Sequence, residues 1–136
     1  DFSFLIGGNG STYCTDVEID NEGNVVVTGQ TGSGNLPVSH DFGGNNSYNI
    51  FIAKFNPINY ELIFLTLIGG NKTEEVPQLC IDQKGTIFIT GTTCSNDFPT
   101  TTDAYDSTLN SGDNESDEIH EDVLTKIKNR IPNSLF

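Results

Sequence analysis

The stretch VTGQTGSGNLP, Val27–Pro37, returns 62 residues later as ITGTTCSNDFP, Ile89–Pro99. The match extends on both sides. FLIGGN at Phe4–Asn9 falls on TLIGGN at Thr66–Asn71, and VEIDNEGN at Val17–Asn24 falls on LCIDQKGT at Leu79–Thr86. Ile19, Asp20, Gly23, Thr28, Gly29, Thr31, Ser33 and Pro37 all meet an identical residue 62 positions on. Self-similarity at a fixed period is the signature of repeated supersecondary units. Further along, NIFIAKFN at Asn49–Asn56 corresponds to EDVLTKIK at Glu121–Lys128, with Lys54 on Lys126, an offset of 72. Ten residues are therefore inserted in the second copy, within the acidic run near residues 111–121.

Each period reads as four strands. In TDVEID, Thr15–Asp20, Val17 and Ile19 alternate with polar residues, as in a strand with one wet face. DNEGN then reverses the chain, with Gly23 and its counterpart Gly85 free to take positive φ beside Asp20 and Asp82. NVVVTGQ follows, then a long polar loop, then NIFIAKF, a turn at NPIN and finally ELIFLTLI. The apolar runs Val25–Val27 and Leu62–Leu65 do not alternate, which predicts strands covered on both faces. Gly29, Gly91, Pro37 and Pro99 recur at matched positions and read as further structural turn residues. Four antiparallel strands, iterated, predict an all-β chain of β-propeller blades, about two blades of a larger propeller. The boundaries are 1–8 for the closing strand of a preceding blade, 9–70 for blade one, and 71–136 for blade two with a truncated last strand. Bare blade faces are expected at Val25–Val27 and Phe51–Phe55.

These motifs resemble the β-propeller repeats of the seven-bladed (SBBP) type. Their pattern runs through Leu-Gly-Gly, a strand ending in Asp-x-x-Gly-Asn, Val-Thr-Gly-x-Thr, Asp-Phe-Pro-Thr and Phe-x-Ala-Lys-x-Asn-Pro. Asp20–Asn24, Val27–Thr31, Asp97–Thr100 and Phe51–Pro57 follow it, and Leu67–Gly70 does so with one residue inserted. Asn35-Leu36-Pro37 is a weak copy, and Leu124–Lys128 lacks the Ala and Asn-Pro. The resemblance implies a module of an extracellular or cell-surface protein, and it carries no common catalytic residues to transfer. A propeller ring needs about four to eight blades, so the expected partners are the remaining blades or a larger assembly.

The net charge of −13 argues against nucleic acid, which needs clustered Lys and Arg. The longest apolar run, Leu62–Ile68, is far short of the roughly 18 residues that mark a membrane helix. Beginning at Asp1, the chain reads as a fragment or a processed product. Its three cysteines, Cys14, Cys80 and Cys94, have no zinc spacing and read as free thiols packed as small hydrophobes. Six of the 19 acidic residues crowd Asp113–Asp122. Asp113, Glu115, Asp117 and Glu118 offer carboxylates to a hard cation such as calcium, but the glycine of a calcium loop is missing. A solvated loop is the simpler reading of that run, and no cofactor is expected. His40 and His120 have no matched partner and no nucleophile motif beside them. The propeller reading thus implies a non-enzymatic structural or interaction module. The alternatives are part of a propeller enzyme acting on glycans, which would need converging carboxylates, and a calcium-dependent adhesive module resting on the acidic run.

Overall fold

The computed structural model describes residues 3–43, 48–109 and 121–127, all of them in strands, turns and irregular segments, with no helix among them. Strands β1 (Thr12–Ile19), β2 (Val25–Thr31), β3 (His40–Phe42), β4 (Asn49–Phe55) and β5 (Leu62–Ile68) form one sheet in the order β1-β2-β4-β5-β3. β1, β2, β4 and β5 are an antiparallel meander. The short β3, within what the sequence presents as a polar loop, adds to β5 in parallel and makes the sheet mixed. Three residues carry too little periodicity to mark a strand, so only the loop's path over β5 reveals it. Strands β6 (Glu74–Ile81), β7 (Ile87–Thr93) and β8 (Glu121–Ile127) form a second, antiparallel sheet. Residues 3–11 lie in no strand.

The hairpins β1–β2 and β6–β7 have the same geometry. Gly23 and Gly85 take φ of 83° and 77°. Each donates its N–H to the Asp carbonyl three residues back, at 2.9 Å in both turns. Each hairpin also carries a bulge, between Cys14 and Asp16 in the first and between Glu75 and Gln78 in the second. Pro77 falls in the second bulge, where the absence of an N–H costs no ladder bond.

Alternation divides the first sheet into two apolar faces. Val26, Ile50, Ile52, Phe64 and Ile68 point toward the second sheet and bury Leu79, Ile87 and Ile89. This is the inter-sheet core, and Ile50, Ile52, Ile87 and Ile89 are each at most 2% exposed. The opposite face carries Val27, Phe51, Ala53, Leu65 and Leu67. The sequence predicts a bare face there; instead Ile6, Leu36 and Val38 fold over it, and Phe51 is fully buried. The long loop after β2 is polar on average, yet Leu36 and Val38 flank Pro37 in a tight turn closed by Val38 N–H to the Leu36 carbonyl at 2.8 Å. That turn aims both side chains inward. What stays open is the edge of this face, where Val17 and Ile19 of β1 are each 58% exposed.

The two sheets also meet along β1 and β6. There two residues bond to their own counterparts one period on, and a third bonds to the neighbour of its counterpart. The Thr15 hydroxyl donates to the Pro77 carbonyl, and the Asn21 side-chain amide donates to the Gln83 carbonyl at 2.6 Å. The Asp16 carboxylate accepts the Leu79 N–H at 2.9 Å.

Replacing Gly23 by Ala forces a side chain into left-handed backbone and should cost about 1 kcal/mol. Urea unfolding checks this against Gly34→Ala, where an added Cβ meets open space at ordinary φ and should leave stability nearly unchanged.

Candidate functional site

Two buried carboxylates stand out, one at each end of the inter-sheet layer. Asp20 closes β1. Its Oδ1 accepts the N–H groups of Glu22 (2.9 Å) and Asn24 (2.8 Å). Its Oδ2 receives the Lys54 ammonium at 2.6 Å and the Asn24 amide at 3.1 Å. The Lys54 and Asp20 side chains are 4% and 1% exposed. Burial pushes the Asp20 carboxyl up, but Lys54, Asn24 and the backbone N–H groups outweigh it and hold the group below the usual carboxylate range. Asp82 repeats the turn with N–H bonds from Lys84 and Thr86, both at 2.8 Å. The bond from Thr86, then that from Lys84, lowers its carboxyl too.

Glu74 starts β6 and is fully buried. Its Oε1 accepts the hydroxyls of Thr93 (2.9 Å) and Ser95 (2.6 Å), while Oε2 has no hydrogen-bond partner. Burial raises this carboxyl, the two hydroxyls only partly offset that, and the negative charge of Asp97 adds to the rise. The Asn49 and Glu74 side chains both reach the space beneath Gly69, where an added Cβ would clash with each. One period earlier the position is Thr12, whose hydroxyl lies 2.8 Å from Thr31 and 3.3 Å from Ser33. Sequence reading missed Glu74. The signal was an acid where the other copy has a Thr, at the mouth of a buried strand.

Of the residues read as turns, Asp20, Gly23, Asp82 and Gly85 occupy matching turns. Gly29 and Gly91 do not: they lie inside β2 and β7, opposite the bulges. Gly29 is required by close approach, since a Cβ there would lie 1.9 Å from the Tyr13 carbonyl oxygen. Pro37 and Pro99 sit in the loops after those strands. Asp113, Glu115, Asp117, Glu118 and His120 lie outside the described residues. His40 is on β3, its ring stacked 6.4 Å from Phe42. Cys14, Cys80 and Cys94 are free thiols, but only Cys94 is buried; Cys14 and Cys80 are exposed on edge strands and do not pack as small hydrophobes. Among the described residues no three His, Cys, Asp or Glu side chains converge on a metal position, and no helix is long and apolar enough to cross a membrane.

A hollow of about 90 Å³ is lined by Thr93, Ser95, Phe98, Asp106, Thr108 and Leu109 among others. It is well below the roughly 300 Å³ at which small-molecule sites begin. Searches of family models, curated proteins and solved structures find no match to the chain.

Lys54→Ala leaves a buried carboxylate without its counter-ion and should destabilise by about 3–5 kcal/mol in denaturant titrations at neutral pH. Because the folded Asp20 carboxyl is lowered, its contribution is present above the unfolded value near 3.9 and is lost as pH falls through the folded value. The cost of Lys54→Ala should therefore shrink in acid.

Glu74 acts in the opposite sense. Its folded carboxyl is raised, so between the unfolded value near 4.3 and that raised value the native state holds a proton that the unfolded chain has released. Stability should fall as pH climbs through this window. Thermal melts of Glu74→Gln should show a shallower decline than the parent over the same range; parallel curves would count against a protonated Glu74.

Proposed function

We propose that the chain is a structural and interaction module, two blades' worth of a β-propeller-like array, with no catalytic role. The reading follows the resemblance to SBBP-type repeats, which also suggests an extracellular or cell-envelope setting. The observation that carries it is the contact of residues with their own counterparts one period on, Thr15 with Pro77 and Asn21 with Gln83. Units related by such contacts are stacked by a rotation that can be applied again, unlike a two-fold pair, in which the contacts would be reciprocal. Its remaining polar investment is structural as well. Asp20 and Lys54 neutralise each other, and Glu74 is enclosed beneath the Gly69–Gly70 turn. In such an array the exposed loops and sheet edges do the binding, and the partners are further sheets of the same kind.

Units coupled to their neighbours gain stability as the array lengthens. Joining two copies of the 136-residue chain in tandem should therefore raise the melting temperature by several degrees. An unchanged melting temperature, with both halves melting as the single chain does, would refute stacking.

A further inference from the structure

The two apolar clusters of the first sheet differ in one respect. Residues 62 apart occupy corresponding places in them: Ile6 for Ile68, Val27 for Ile89. Val17 corresponds to Leu79, yet Leu79 is 6% exposed and Val17 is 58% exposed. The cause is visible. Leu79 lies under Val26, Ile52 and Phe64, the facing layer of the neighbouring sheet, whereas among the described residues nothing corresponding to that layer covers Val17 and Ile19.

The second sheet carries a counterpart of the missing layer on its far side. Cys80 pairs with Phe88 and Gln78 with Thr90, so these four share the face turned away from the first sheet. Phe88 stands one period after Val26, and Thr90 after Thr28. Gln78, Cys80 and Thr90 are exposed. Among the described residues, the two outer sides thus present Val17 and Ile19, which match Leu79 and Ile81, and Phe88 and Thr90, which match Val26 and Thr28.

We propose that the Val17–Ile19 edge is a docking surface for a second copy of this chain, received through the Gln78–Thr90 face of its second sheet. The contact is head-to-tail and continues the stacking inside the chain; it therefore rests on the stacking reading above. At the docked contact the Asn21 carbonyl would take the place of that of Gln83, while the Thr15–Pro77 bond has no counterpart, because Pro77 carries no hydroxyl. The Gln83 side chain of the incoming copy matches the Asn21 amide that donates in the existing contact. Two copies each bearing −13 repel at long range, so association strengthens as salt screens that repulsion.

The test is sedimentation velocity of the 136-residue chain from about 1 to about 300 µM, spanning weak to moderate affinities. The parent should rise above 14.8 kDa with concentration, more so in high salt. Val17→Glu/Ile19→Glu changes exposed positions on one surface, and Gln78→Glu/Thr90→Glu on the other. Both variants carry the same added charge and should keep the parent melting temperature. Each alone should stay monomeric, and an equimolar mixture should form a one-to-one dimer, because each supplies the surface the other lacks. A parent that remains monomeric throughout overturns the proposal. So does a Val17→Glu/Ile19→Glu variant that associates like the parent, or a mixture of the two variants that fails to pair. Should either variant lose its fold, Val17→Thr/Ile19→Thr keeps β-branched shape, and undiminished association of that variant overturns the proposal as well. A tandem chain that is stabilised while separate chains stay apart would leave stacking standing and remove only docking between copies.

Discussion

The Asp20–Lys54 pair is the joint on which the first sheet turns. One carboxylate ends β1, forms the reverse turn through two backbone N–H groups, and reaches across β2 to an ammonium on β4. Three strands are thus indexed to each other by a single buried charge. The pair is also why Lys54 can stand on the face that holds Val26, Ile52 and Phe64, where an unpaired cation would be prohibitive. In the paired position the apolar residues around it are free to form the layer that meets the second sheet.

Burial of that layer decides the arrangement of the sheets. The first sheet supplies large branched and aromatic side chains from its middle strands, and the second answers with Leu79, Ile87 and Ile89. Edge bonds such as Thr15 to Pro77 add direction more than strength. They fix which strand lies beside which, while the apolar contact supplies most of the stabilisation. Glu74 is the exception inside this layer. It occupies a place where a hydroxyl suffices in the other copy, and the hydroxyls of Ser95 and Thr93 offset only part of its desolvation cost.

Much of the sheet architecture was legible because it is written in short-range chemistry. Asp-x-x-Gly spells the two turns, and the run through Val25–Val27 announces a strand covered on both faces; Leu62–Leu65 fits that reading only in part, since Ile63 is 48% exposed. The cover over Phe51 was not legible, because Ile6, Leu36 and Val38 sit in segments whose average polarity hides three inward-pointing side chains. Gly29 was misread for a related reason. A conserved spacing of glycine looks the same whether the backbone must bend or a neighbouring carbonyl must come close, and only the Tyr13 contact separates them. Glu74 escaped notice because nothing local distinguishes a buried acid from a solvated one; the difference lies in Thr93 and Ser95, some twenty residues away.

The bonds between matched residues also give the chain a reading direction. Thr15 offers a hydroxyl, whereas Pro77 offers only a carbonyl; Asp16 offers a carboxylate, whereas Gln78 offers an amide. At this contact Thr15 and Asn21 of the first half give hydrogens, and Asp16 receives one from Leu79. Exchanging their order along the polypeptide would set Pro77 against the Thr15 carbonyl with no hydrogen to share. Segments matched in this way are not equivalent parts: a contact built with the second in the place of the first is weaker by that one bond.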